Sequence, residues 1–261
     1  MTTEALVVEE LTVSYGGVLA VDGVSLTVAP GEVVGLIGPN GAGKTSLIDA
    51  VTGFTPARGR VRVGGTPVDV LPPHGRARTG LARTFQSVEL FDELTVEENL
   101  RVAASDPRWW SPFVDALRPR DRHREDVRWA LDAVGLGDAA TVMPSELPTG
   151  RSRLVGVARA LVRRPAVLLL DEPAAGLDTV ESAALGERIR AIAASGIAVL
   201  LVDHDMSLVL SVCDRVAVLD FGRIIAEGAP ASVREDPRVI EAYLGTSGPP
   251  QAVDPGPGAG A

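Results

Sequence analysis

The sequence predicts an α/β fold, with a mostly parallel core sheet, an N-terminal antiparallel β-subdomain and a helical insert. Three observations carry this expectation. Residues 5–28 alternate apolar and polar side chains in two runs, LVVEELTV and VLAVDGVSLTV, that meet at Gly16-Gly17, the pattern of paired half-buried strands. From Glu32 onward the pattern becomes strand, loop, helix, the unit from which parallel sheets are built. Two wholly apolar runs, AVLLL (166–170) and IAVLLV (197–202), are too short for helices and enclose a helical face of Leu185, Ile189 and Ile192.

Taken in order, Val33–Ile37 reads as a buried strand, followed by a glycine-rich loop. Leu47, Ile48 and Val51 then form one helical face that stops near Gly53. Arg60–Val63 ahead of Gly64-Gly65 predicts a small hairpin. Val127, Ala130, Leu131 and Val134 mark an amphipathic helix ending at Gly135. Leu154, Val155, Ala158, Leu161 and Val162 repeat that spacing before Pro165. The helical insert is placed at about 95–160, inside one domain spanning 4–245. The remaining 246–261 is rich in Pro, Gly and Ala with nothing to bury, and is expected to be disordered.

Composition removes several function classes. With 34 Asp+Glu against 25 Lys+Arg, the formal net charge of −9 argues against nucleic acid as the main partner. Cys213 is the one cysteine, which excludes an intrachain disulfide and a cysteine-based zinc cluster. The first ten residues lack the basic-then-apolar form of a signal peptide, and no apolar run approaches the roughly 18 residues of a spanning helix. A cytosolic chain that does not itself cross a membrane is expected.

Only one of the 25 basic residues is a lysine, and it stands in Gly38-Pro39-Asn40-Gly41-Ala42-Gly43-Lys44-Thr45, which fits G-x-x-x-x-G-K-[ST] at every position. The motif lies between a predicted strand and a predicted helix, as its mechanism requires. Glycines let backbone N–H groups turn inward on phosphate oxygens, and the helix N-terminus adds positive potential. Lys44 supplies a compact cation to the outer phosphates and the Thr45 hydroxyl a ligand for Mg²⁺. The expected nucleotide-binding residues are Gly38, Asn40, Gly41, Gly43, Lys44, Thr45 and Ser46.

The strand 166–170 runs into Asp171-Glu172-Pro173. A carboxylate at the C-terminal end of an α/β strand faces the ligand edge of the sheet, where Asp171 is expected to hold Mg²⁺ or its water. Glu172 would orient the attacking water and take its proton. His204 follows the second apolar strand at the same sheet edge, and Gln86 is a neutral amide able to reach both metal and water. Tyr15 is suited either to stack on adenine or to pack a strand.

Together GPNGAGKT (38–45), Gln86, VLLLDEP (167–173), Leu177-Asp178 and His204 resemble the ATP-binding subunit of an ABC transporter. The resemblance implies a P-loop NTPase fold of ABC type over about residues 5–245, with ATP and Mg²⁺ as ligands. It assigns these segments as Walker A loop, Q-loop, Walker B strand with catalytic Glu172, D-loop and switch histidine, with Tyr15 as the A-loop aromatic. ARTFQSVELFDELTVEENL (82–100), DEPAAGLD (171–178), DHDMSLVLSVCDRVAVLDFGRIIAEG (203–228) and VIEAYLG (239–245) are similar to the branched-chain amino-acid importer subfamily. A lipid-export group is close to it. The resemblance further implies integral-membrane permeases, an extracytoplasmic solute-binding protein acting through them, and a peripheral position on the cytoplasmic face of the plasma membrane. Trp109, Trp110 and Phe113 in the insert are either a partner-facing patch or core filling.

The signature of that family, Leu-Ser-Gly-Gly-Gln or a near variant, stands here as Leu147-Pro148-Thr149-Gly150-Arg151. Proline removes both the hydroxyl and the N–H expected at 148, while Thr149 and Gly150 retain donors that would reach nucleotide. Because the family's signature acts on ATP held by the opposite subunit, the departure predicts an asymmetric pair with a second ATPase subunit. Two other classes fit less well. A non-transport ABC ATPase on nucleic acid conflicts with the acidic balance and single Walker A loop, and a GTPase would need a second lysine to read guanine.

Overall fold

The computed structural model describes residues 4–85, 90–105 and 123–245. Among these, ten strands form two sheets. The smaller has the order β2-β1-β4-β5 and is antiparallel throughout, from β1 (Leu6–Tyr15), β2 (Val18–Val28), β4 (Arg58–Val63) and β5 (Thr66–Pro67). The larger has the order β10-β9-β3-β8-β7-β6, from β3 (Val33–Ile37), β6 (Leu81–Arg83), β7 (Val167–Asp171), β8 (Ala198–Val202), β9 (Arg215–Asp220) and β10 (Arg223–Gly228). All its pairings are parallel except β9 with β10. The expected antiparallel subdomain and mostly parallel core are both present.

The unbroken apolar runs follow from the layering. Along β7, Leu168 and Leu170 join one buried cluster while Val167 and Leu169 join the other, and β8 and β9 alternate in the same way. Successive strand residues point to opposite faces, so a strand covered on both sides must be apolar at every position. One face is covered by the antiparallel sheet and by α1 (Lys44–Thr52), which contributes Leu47, Ile48 and Val51. The other is covered by helices, among them α3 (Val96–Ala104), α4 (Arg124–Ala133), α5 (Thr149–Leu161), α6 (Thr179–Ala194) and α7 (Met206–Val212).

Short helices complete the frame. In α2 (Pro73–Arg78) the buried Arg76 donates to the Ala50 and Val51 carbonyls at the C-terminal end of α1. The last described elements are α8 (Pro230–Arg234) and α9 (Pro237–Gly245), packed on β10 and on each other. The helices described within the expected insert are α3, α4 and α5, and Arg164 lies over the Trp129 ring at 4.6 Å, fastening the end of α5 to α4. Trp109, Trp110, Phe113 and the tail 246–261 lie outside the described residues. Among the described residues no helix is long and apolar enough to cross a membrane.

Candidate functional site

Strand register assembles the site. Leu36 of β3 pairs with Val202 of β8, and Val202 pairs with Asp171 of β7, so three neighbouring strands end in one row. Just beyond that row lie the loop from Gly38, the Asp203-His204 pair and Glu172. Residues far apart in sequence thus share one edge because three parallel strands stop together.

The loop between β3 and α1 is built around two glycines. Gly38 has φ 155°, and a Cβ there would stand 2.0 Å from the Leu219 carbonyl oxygen. Gly43 has φ 104°, and a Cβ would stand 2.1 Å from the Ala20 carbonyl oxygen. Both positions are closed to any side chain. Gly43 is also the N-cap of α1 and brings no side chain to its free N–H groups, and the first turn carries no acidic residue. The first intrahelical bond there is Leu47 N–H to Gly43 carbonyl, which leaves the N–H groups of Lys44, Thr45 and Ser46 to an anion. Lys44 Nζ donates to the Gly38 and Pro39 carbonyls at 2.6 and 2.9 Å. Burial pushes its pKa below the usual lysine value, opposed by the Glu172 and Asp171 carboxylates. Asn40, Gly41 and Thr45 are exposed at the rim.

At the ends of β7 and β8 the backbone is strained and tied. Glu172 has φ 47°, a left-handed conformation rare for a non-glycine residue, and its N–H donates to the Val202 carbonyl at 2.7 Å. Its Oε2 lies 3.9 Å from His204 Nδ1. Asp203, fully buried, accepts from the N–H groups of Ala174 at 3.1 Å and Asp205 at 2.9 Å, and so pins the loop after β7 to the loop after β8. Asp205 in turn caps α7 and accepts from the Ser182 hydroxyl at 3.1 Å. His204 projects between these carboxylates with a side chain 65% exposed. A glycine loop carrying Lys44, the Asp171 carboxylate, a strained Glu172 and His204 therefore meet at one sheet edge.

The profile of the ABC transporter family matches residues 21–175, and a second profile, described as branched-chain amino acid ATP-binding cassette transporter, matches residues 223–249. The chain belongs to the ABC transporter ATP-binding family. It is 40% identical over 253 residues to BraF of Pseudomonas aeruginosa, named a high-affinity branched-chain amino acid transport ATP-binding protein, with 94% of this chain and 99% of the relative covered. Identity to LivG of Escherichia coli strain K12, which carries the same description, is 40% over 254 residues, covering 94% and 99%. Among solved structures, MJ1267, an ATP-binding cassette of an ABC transporter, superposes with TM-score 0.81 at 33% identity over 93% of this chain and 99% of that one. The protein is accordingly the ATP-binding and ATP-hydrolysing subunit of an ABC transporter, a family whose subunits work with membrane permeases.

Within this ABC ATPase domain the structure adds a residue that motif reading passed over. Arg83, at the end of β6, is nearly buried and bridges Asp49 of α1 at 2.5 Å and Asp171 at 2.9 Å. Asp171 N–H donates to the Thr84 hydroxyl at 3.2 Å, and Arg83 also lies over the Phe85 ring at 5.0 Å. A cation preceding Gln86 by three positions gives no motif signal. Its role follows only from the pairing of β6 with β7. Asp203 was equally hidden, because a buried carboxylate looks like an exposed one in sequence.

Not every expected residue joins this cluster. The Tyr15 hydroxyl lies 3.3 Å from Thr55 Oγ1, a residue beyond the C-terminal end of α1. Gln86 lies outside the described residues. Pro148 is the N-cap of α5, with Thr149 exposed as its first residue. Gly150 is buried where a Cβ would stand 2.6 Å from Glu181 Oε1. A cleft of about 700 Å³ is lined by Arg83, Asp171, Glu172, Gly150, Leu154 and Leu177 among others, and the phosphate-loop residues do not line it.

Proposed function

We propose that this chain powers uptake of branched-chain amino acids, or of other polar amino acids or amides, as a peripheral subunit on the cytoplasmic face of the plasma membrane. The observation that carries the reading is the C-terminal match at 223–249, which goes beyond the general ATPase domain, together with near full-length similarity to BraF and LivG.

In the proposed mechanism the N–H groups of Lys44, Thr45 and Ser46 and the Lys44 ammonium bind the phosphates of ATP. Thr45 and Asp171 would hold Mg²⁺. One Asp171 oxygen is engaged by Arg83, and among the described residues no group of three or more His, Cys, Asp or Glu side chains is placed to hold a metal ion by itself. That donor set suits an ion that completes its shell with phosphate and water. When bound, the ion neutralises charge on the phosphates. Glu172, held by its bond to Val202, orients water and accepts its proton. His204 faces the same space as a donor, and Gln86 is assigned contact with metal and water.

A second cleft of about 710 Å³ supports docking to a permease. Phe54 and Phe85 meet edge to face there with ring centroids 5.7 Å apart, both more than half exposed, beside Arg78, Arg159 and Arg163. An apolar segment with acidic flanks fits that lining. The proposed partners are permeases, an extracytoplasmic solute-binding protein acting through them, and a second ATPase subunit whose site Thr149 and Gly150 would complete.

Purification of the tagged chain from membranes of its own cells, followed by identification of bound subunits, tests the reading. Recovery with two permeases and a distinct ATPase is expected. Recovery with an export-type permease alone would overturn the import assignment.

A further inference from the structure

Register sets one buried cation against the sheet edge that carries Asp171. Arg83 of β6 pairs with Leu169 of β7, and Thr84 follows with its N–H bonded to the Leu169 carbonyl at 2.9 Å. The Arg83 side chain is 8% exposed, and its two terminal nitrogens go to different carboxylates. Nη1 donates to Asp49 Oδ1 at 2.5 Å and Nη2 to Asp171 Oδ2 at 2.9 Å. Nη1 also donates to Thr52 Oγ1 at 3.3 Å, while Nε is buried with no partner among the described residues. A buried donor left unmet is costly, so the side chain is set by the demands of its two arms.

The consequence falls on Asp171. Its Oδ2 is held by Arg83 and its backbone N–H by the Thr84 hydroxyl at 3.2 Å, whereas its Oδ1 has no hydrogen bond among the described residues. One carboxylate oxygen is committed and the other is open. Stability alone is a weak account of such a pair, since a buried ion pair is often no better than apolar residues of the same volume. The common divalent ions differ in what they ask of a carboxylate. Mg²⁺ demands an octahedral shell, keeps several waters and is served by a single carboxylate oxygen beside phosphate. Ca²⁺ takes about six to eight oxygens and readily accepts both from one carboxylate.

We propose that Arg83 is a specificity-determining residue for the divalent ion: by holding Asp171 Oδ2 it leaves one oxygen to offer, which suits Mg²⁺ and disfavours Ca²⁺. Arg83 acts through Asp171 and is a positioning residue, not a ligand. The proposal rests on the reading of Thr45 and Asp171 as the residues that hold the ion. Loss of the guanidinium charge favours both dications alike, so the ratio of their affinities reports on the freed oxygen and not on the charge.

The test measures the Kd of a fluorescent, non-hydrolysable ATP analogue in EDTA, in saturating Mg²⁺ and in saturating Ca²⁺, using the full chain and three variants. Wild type should bind the Mg²⁺ form more tightly than the Ca²⁺ form. In Arg83→Met the ratio of the Ca²⁺ to the Mg²⁺ Kd should fall about tenfold, the lower end for one contact to a charged group. Arg83→Lys keeps a cation beside the buried carboxylates, and with it the fold, but gives up the fork; its ratio should fall about threefold. Asp49→Asn cuts the other arm and leaves Oδ2 held, so its ratio should match wild type. Urea unfolding establishes that each variant is folded under the assay conditions. A ratio within about twofold of wild type in Arg83→Met, or in Arg83→Lys should Met not fold, would overturn the proposal. An equal fall in Asp49→Asn would overturn it too, since general loosening would then explain the change. Equal binding in EDTA and in Mg²⁺ by the wild-type chain would instead strike the reading of Thr45 and Asp171 as ion holders, and the proposal with it.

Discussion

Glu172 sits in a conformation that costs of order 1–3 kcal/mol for a residue with a side chain, and the Val202 carbonyl helps hold it there. That expense has a chemical use if the carboxylate must face water at a fixed angle. Replacing it with glutamine keeps the shape and removes the base, so Glu172→Gln should bind ATP within about threefold of wild type while turnover drops by about 10²–10⁴-fold. A nucleotide-binding titration beside a steady-state phosphate-release assay measures both. Cys213 is a contrasting case. Burial, with Asp214 nearby, pushes its thiol to about 12, so it stays protonated and unreactive in the folded state. Iodoacetamide at pH 8 should leave it unmodified in native protein and label it fully in denaturant, as mass spectrometry would read.

Elements meet at Arg83. Its guanidinium joins the helix after the phosphate loop, through Asp49, to the end of β7, through Asp171, and it lies three residues before Gln86. Both ends of the Arg83–Asp171 pair are about nine-tenths buried, so removing the cation leaves a carboxylate with little water around it. Arg83→Met should lower unfolding stability by about 3 kcal/mol, visible as a reduced urea midpoint at unchanged slope. Asp203 works at the same scale. By accepting from Ala174 and Asp205 it makes the loops after β7 and β8 one unit, which keeps Glu172 and His204 in register.

At the scale of the whole molecule, the proposed pairing with a second ATPase subunit would make the nucleotide site composite. The chain's own Lys44, Thr45, Asp171, Glu172 and His204 are gathered at one edge, and Thr149 and Gly150 begin a helix whose Gly150 lines a cleft together with Asp171 and Glu172. Residue 148 is the N-cap of that helix, a place that favours serine for its hydroxyl oxygen and that proline leaves without a side-chain acceptor. Pro148→Ser should therefore stabilise the helix by about 1 kcal/mol and return a donor to the partner's nucleotide. With a preorganised donor worth about 2.7–4 kcal/mol in the transition state, hydrolysis in the reconstituted transporter should rise by about 10²-fold or more if the site facing this signature limits turnover. Unchanged hydrolysis in single-turnover assays of that site would remove Pro148 from the account of asymmetry.

Chemistry that depends on local order was legible in the chain: Gly38 to Thr45 specify a phosphate loop because turn, cation and helix start must be contiguous. The apolar runs ending in Asp171 and Val202 likewise announced parallel strands, since only strands buried on both faces are apolar throughout. Tertiary structure alone decided the contacts across the sheet. Arg83 finds Asp171, Asp203 staples two loops and Tyr15 turns to Thr55, because strand order and loop packing bring together residues up to 88 positions apart. No local pattern encodes such a distance.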